Sequence, residues 1–145
     1  MTEIPQQLSD AAVKHLEFIQ AVIARQAGNS FLLKGWSLTV AAALYAFTAA
    51  HLNWRLAALG LLVVAAFWWL DAYFLRQERL FRCLYNEVRT AQSGIAPFAM
   101  STASYFSQPR NSYRACVWSI TLAVFYGTVE FVGVVLLAVS LYHSI

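Results

Sequence analysis

Charge is what this sequence has least of: Asp, Glu, Lys and Arg make up 12% of its 145 residues, while hydrophobic residues make up 60%. That balance excludes an ordinary water-soluble domain and points to lipid as the solvent. Cysteine is scarce as well. Cys83 and Cys116 lie far apart and belong to no C-x-x-C pair or histidine cluster, so neither a zinc site nor a disulfide framework is indicated, and both read as reduced structural residues. A cleavable signal peptide is not expected either, because the N-terminus is polar and acidic (Thr2, Glu3, Asp10) and the apolar run begins only near Phe31. The first span is expected to act as its own insertion signal. Enzyme motifs are absent: there is no G-x-S-x-G, P-loop, H-E-x-x-H or paired-carboxylate arrangement. His15, His51 and His143 fall on both sides of the expected membrane and cannot form one site. The reading is therefore non-enzymatic, with no catalytic, cofactor or metal residues. Nucleic acid is not an expected partner, since the arginines are few and next to the bilayer.

What the sequence does have is apolar runs of membrane-spanning length. Between Lys34 and Arg55 lie twenty residues without formal charge, matching the roughly 20 needed to cross ~30 Å of hydrocarbon. A second run, Leu56 to Leu70, continues through Asp71 to Leu75 and is expected to form a tight antiparallel hairpin with the first. A third extends from about Ala115 to Leu141, interrupted only by Glu130. The fold class is an all-α membrane protein: three transmembrane helices with amphipathic cytoplasmic helices. Its divisions are a cytoplasmic amphipathic helix (1–30), a transmembrane hairpin (31–75), a cytoplasmic helix extension and loop (76–114) and a third transmembrane helix (115–145).

Nine of the ten Lys and Arg lie before the first span or between the second and third, leaving only Arg55 in the hairpin loop. The positive-inside rule then places the N-terminus in the cytoplasm and the C-terminus in the periplasm. Trp36, Trp54, Trp68, Trp69 and Trp118 lie near the span ends, where indole rings favour the interface.

Before the first span, Leu8, Ala12, Leu16, Ile19 and Ile23 recur on one helical face, opposite Asp10, Lys14, Glu17 and Arg25, with Ser9 as the N-cap. This helix either packs in a cytoplasmic bundle of the chain's own or lies on the membrane or a partner. After the second span, Phe74, Phe81, Leu84, Tyr85 and Val88 continue an apolar stripe, so the helix should run on to about Thr90. Arg76, Arg79, Arg82 and Arg89 occupy its other half and form a candidate face for anionic headgroups, a nucleotide signal or an acidic partner. Insertion rules alone also put arginines there. The stretch from Gln92 to Ser112, with Gly94, Pro97 and Pro109, reads as an irregular loop.

Glu130 is the most informative single position, with fifteen uncharged residues on each side. A carboxylate inside a span is costly and marks a functional-site candidate. Ser119, Ala123 and Gly127 form a small-residue ladder leading to it, so it should face another helix or a lumen. Counting ~1.5 Å per residue from Arg114 places Glu130 ~24 Å along the helix, level with Thr48 and His51 and close to Arg55. It either pairs with Arg55 or His51, or is protonated and merely holds the bundle together, or lines a cation path among several subunits. At the opposite interface Asp71 is positioned to pair with Lys34 and Arg114 and fix the register of the helices.

The stretches 29–36 (NSFLLKGW) and 67–79 (FWWLDAYFLRQER) resemble those of small, largely uncharacterised bacterial membrane proteins. More loosely, spans flanked by amphipathic cytoplasmic helices are similar to transmembrane effectors of bacterial anti-phage systems, including those with SLATT-type domains. That likeness implies an inner-membrane effector that oligomerises and damages the membrane once a soluble cytoplasmic activator or nucleotide signal acts. It implies no catalytic or ligand residue. The expected function is a pore-forming effector that is a homo-oligomer in contact with membrane lipids. The alternatives are an anchor or sensor recruiting a soluble partner, and a small proton-coupled transporter.

Overall fold

A computed structural model describes residues 9–90 and 94–144, and their regular structure is entirely helical. Helix α1 spans Asp10–His51, α2 Trp54–Val88, α3 Tyr113–Val117 and α4 Ile120–Ser144, with two 3-10 turns, Ala103–Tyr105 and Pro109–Asn111, before α3. Expectations resting on Thr2, Glu3, Leu8 and Gln92 lie outside the described residues.

Helices α1, α2 and α4 are each long and apolar enough to cross a membrane. In their most apolar windows only 22%, 22% and 17% of residues are buried within the chain. The remaining apolar surface needs a covering other than water, because exposed apolar patches of this extent are not found on soluble monomers. Trp36, Trp69 and Trp118 stand exposed near one rim of this apolar zone and Trp54 near the other, as interfacial indoles do.

The separate N-terminal helix expected from the sequence does not exist as such. Its residues are the first half of α1, which runs 42 residues without a break and so extends ~63 Å, twice the thickness of the hydrocarbon. Ser9 caps its start, its Oγ accepting the Ala12 N–H at 3.2 Å, while Asp10 complements the positive end of the helix dipole. Ser30, a residue type that can interrupt a helix by bonding its own backbone, instead sends its hydroxyl to Asp71 on α2. The hairpin turn is only Leu52 and Asn53. Leu52 adopts the left-handed conformation (φ 48°), its N–H donating to Thr48 O at 2.8 Å, and the Asn53 side chain caps α2 by accepting from Arg55 N. Helix α2 then follows α1 back along its whole length, ending at Val88 with Arg89 as its C-cap.

Two apolar clusters result. Outside the apolar zone, at the end where α1 begins and α2 finishes, Ile19, Leu80, Leu84, Val88 and Tyr105 bury one another; each contributes ~1.5–3 kcal/mol in water. Inside the apolar zone, Ala41, Tyr45, Val64, Ala72, Leu122 and Tyr126 join all three long helices. Helix α4 packs chiefly on α2 and more lightly on α1.

The third span differs from expectation at its start. Rather than running unbroken from Ala115, it stops at Trp118 (φ −91°, ψ 19°) and resumes as α4. The freed Val117 carbonyl is satisfied from outside the helix, by the Trp68 indole N–H at 3.0 Å. A partner of this kind is what stabilises a break in a helical ladder. The loop from 94 to 112 is irregular apart from its two 3-10 turns, and it is fastened to the hairpin. The His15 ring, 2% exposed, meets the Ala99 carbonyl at 2.9 Å, and buried Asn111 donates to Tyr105 O at 3.0 Å.

Candidate functional site

Asp71 is the polar centre of the bundle. It is fully buried, and such a carboxylate requires compensation from every side. Lys34 Nζ on α1 donates to Oδ2 at 2.6 Å, the Ser30 hydroxyl donates to Oδ1, and the Tyr126 phenol on α4 donates to Oδ2 at 3.1 Å. Lys34 also reaches Ser30 Oγ at 2.8 Å. One acid thus ties three helices together. The sequence brings Lys34 and Asp71 into view because both bracket apolar runs; Ser30 and Tyr126 carry no such signal, as a serine and a tyrosine in apolar stretches suit many roles. Arg114 stands exposed on α3 and makes no ion pair among the described residues. Cys116 is the α3 residue that turns inward, buried with Ala72 and Tyr126, and Arg114, two positions before it, therefore faces outward.

Glu130 is half-buried on the flank of α4. Its level follows from its neighbours: Tyr126, one turn before it, stacks on Trp68 and reaches Asp71, while Gly133, nearly one turn after it, abuts Tyr45 and Leu61. Glu130 therefore lies level with the stretch between Leu61 and Trp68, near the middle of the apolar zone. Arg55, at the start of α2, is about 13 Å further along the axis. The expected trio of Glu130, Arg55 and His51 is not assembled. The Arg55 guanidinium lies over the Trp54 ring at 5.7 Å, and the His51 ring stacks on Phe47. The count from Arg114 overestimated the height because the chain turns at Trp118 instead of rising straight. No ion pair forms at Glu130 among the described residues.

The close contact between helices also differs from the expected ladder. Gly127 has nothing within 4 Å of where a Cβ would stand. The close approach is made by Tyr45, whose ring lies 2.5 Å from the corresponding point at Gly60 and whose hydroxyl reaches that point at Gly133. Tyr45 is 7% exposed and its hydroxyl is buried without a hydrogen-bond partner among the described residues.

The arginines of α2 divide into two kinds. Arg76 Nε donates to the Asn111 carbonyl at 2.9 Å with its guanidinium over Phe106 at 5.0 Å. Arg79 donates to the carbonyls of Arg110 (2.9 Å) and Ala115 (3.2 Å). These two fasten the segment before α3 onto α2 and are not free for an anion, which corrects the expectation of a four-arginine binding face. Arg82 pairs with Glu78 at 2.7 Å one turn away, and Arg89 is exposed at the helix end. Nearby, the Tyr105 phenol donates to Glu87 Oε2 at 2.6 Å. Burial, and then the Glu87 carboxylate, push Tyr105 from its ordinary value of 10.0 up to about 12.

No protein-family profile, curated protein or solved structure matches this chain.

Proposed function

We propose that the protein is a non-enzymatic membrane effector that assembles with copies of itself into a conducting path, opened from the Lys- and Arg-rich side. The observation that carries this reading is Glu130: a carboxyl level with the middle of the apolar zone, on a helix flank, without an ion-pair partner among the described residues. Such a group is stable when neighbouring subunits and water surround it, and a ring of carboxylates is a means of selecting cations. A second support is the outward face of α1, where Gly35, Thr39, Ala42, Ala43, Ala46 and Ala50 are exposed together. Small residues of this kind let helices of separate subunits approach closely. The Lys and Arg distribution favours a cytoplasmic N-terminus and a periplasmic C-terminus, and the likeness to anti-phage effectors supports a bacterial inner membrane and a setting in defence.

The test is ion efflux from liposomes reconstituted with the purified protein. Wild type should form oligomers and release cations, and Glu130→Gln should keep the oligomer while losing most of the flux. No flux from wild type would overturn the pore, and equal flux from both would remove Glu130 from its lining.

A second reading, an anchor or sensor that recruits a soluble partner, is favoured by the part of the hairpin beyond the apolar zone. There Glu17, Gln20, Arg82, Tyr85 and Asn86 line an open cleft of about 750 Å³ between α1 and α2. An anchor would bind its partner with undiminished affinity in the Glu130→Gln variant and conduct nothing.

A further inference from the structure

We propose that Arg110 and Arg114 form a binding site for the phosphate of an anionic phospholipid at the Lys- and Arg-rich rim of the membrane, with the exposed Trp118 and Ile120 receiving its acyl chains. The site rests on the chain crossing a membrane and not on its conducting ions.

The depth of the two arginines carries the argument. The charge-free stretch of α1 starts directly after Lys34, and Lys34 is bound to Asp71 on α2 at 2.6 Å, so this pair marks the edge of the hydrocarbon. Trp68 and Trp69 lie just inside that edge, and α3 is fastened to both. The Trp68 indole donates to Val117 O at 3.0 Å, and the Tyr113 phenol donates to Trp69 O at 2.8 Å. Away from the hydrocarbon, Arg76 holds the Asn111 carbonyl and Arg79 holds those of Arg110 and Ala115. These two arginines start ~8 and ~12 Å beyond Asp71 along α2. The segment between the two sets of anchors therefore occupies the headgroup layer, which is ~5–8 Å deep on each side of the bilayer.

Charge decides what fills that layer beside it. Arg110 and Arg114 are both exposed and make no ion pair among the described residues. Arg79 Nη1 donates to the carbonyls of Arg110 and Ala115 together, so the turn that carries the two guanidiniums is folded about a single atom. Between Glu87 and Glu130 the chain holds no acidic residue. The acids of α2 on this side are engaged elsewhere: Asp71 with Lys34, Glu78 with Arg82 and Glu87 with the Tyr105 phenol. A guanidinium at headgroup depth without a carboxylate of its own pairs with phosphate, which its planar fork matches. An acidic headgroup lacks the ammonium that a zwitterionic lipid carries beside its phosphate, and the site should prefer it for that reason. On the hydrocarbon side Trp118 and Ile120 are 70% and 79% exposed, an apolar surface that acyl chains cover.

The test is native mass spectrometry of the purified full chain in detergent, titrated with phosphatidylglycerol and with phosphatidylcholine of the same acyl chains. Wild type should bind phosphatidylglycerol the more tightly. Replacing both Arg110 and Arg114 with Gln should weaken that binding about thirtyfold, at about fivefold for each arginine beside an anionic headgroup, and leave phosphatidylcholine unchanged. Arg82→Gln combined with Arg89→Gln removes the same charge from exposed positions ~17 and ~27 Å beyond Asp71, and both affinities should stay as in wild type. Thermal unfolding of the Arg110 and Arg114 variant should match wild type, which separates lost binding from lost fold, and Arg114→Gln alone should cost about fivefold. Glycerol 3-phosphate, which has the phosphate and no chains, should not displace the lipid; displacement would replace the lipid site with one for a soluble phosphate. Equal affinity of wild type for the two lipids, or equal losses in the two double variants, would overturn the site. None of these readings involves ion flux, so a protein that conducts nothing would remove the pore and leave the lipid site standing.

Discussion

The Tyr45 hydroxyl on α1 lies directly against Gly133 on α4, where any side chain would occupy its place. The same ring touches Gly60 on α2, so a single tyrosine sets the spacing of all three long helices.

Gly133→Ala should therefore force Tyr45 aside and destabilise the bundle by ~1–3 kcal/mol, the usual penalty for overpacking. Gly60→Ala meets the same ring and should behave similarly. Gly127→Ala, with open space around it, should leave thermal unfolding in detergent unchanged. A Gly133→Ala protein as heat-stable as wild type would show that α4 does not seat on Tyr45.

Lys34 and Asp71 should not be equivalent when removed. Lys34→Met strands a fully buried carboxylate, and an unpaired buried charge costs ~3–5 kcal/mol. Asp71→Leu strands an ammonium whose side chain is 25% exposed and whose four-carbon stem can turn toward the rim, so the loss should be smaller. The double variant should recover part of the Lys34→Met loss. Unfolding in a denaturing detergent series measures all three; equal losses for the two single variants would contradict this arrangement.

Much of this was legible in the sequence and much was not, for identifiable reasons. The hairpin and the meeting of Lys34 with Asp71 follow from charges that interrupt apolar runs, a signal carried by neighbouring residues. Tyr45 gives no such signal, because a tyrosine in an apolar stretch suits a lipid rim as well as a helix junction. The ladder Ser119, Ala123 and Gly127 suggests close contact by composition, but composition does not say which side of α4 turns inward, and the contact falls on Gly133. Arg76 and Arg79 read as a free face because their acceptors are main-chain carbonyls 31 to 36 residues away, which leave no mark in side-chain patterns.

Those carbonyls lead to a third expectation. Arg76→Gln and Arg79→Gln should each loosen the segment before α3, since hydrogen bonds from a charged donor contribute ~1.5–3 kcal/mol. Trypsin cleavage after Arg110 and amide exchange between 109 and 116 should both quicken. Arg82→Gln, which loses only the exposed pair with Glu78, should change neither. Arg79→Lys should resemble Arg79→Gln, because one ammonium does not reproduce the guanidinium fork.

Tyr105 supplies a dependence on alkali. Its phenol is raised to about 12 from 10.0, so the protonated form is the one that the fold favours. Its stabilising contribution is complete below pH 10, declines as pH rises between 10 and 12, and is gone above the folded value. Tyrosinate absorbance should show one phenol titrating late, and Tyr105→Phe should remove that step and flatten the alkaline loss of stability. A Tyr105 that ionises near its ordinary value would mean that the bond to Glu87 does not hold in solution.

The inward edge of α1 is one seam: His15 and Ile19 outside the apolar zone and Ser37, Ala41, Tyr45 and Thr48 within it, all buried along a helix with no interruption. An unbroken helix has no hinge of its own between the two zones, so the His15 contact with the Ala99 carbonyl and the Lys34 and Tyr45 contacts belong to one element. A partner that docks on the part of the hairpin beyond the apolar zone therefore touches the same rod that carries the Asp71 knot and the Gly133 seat.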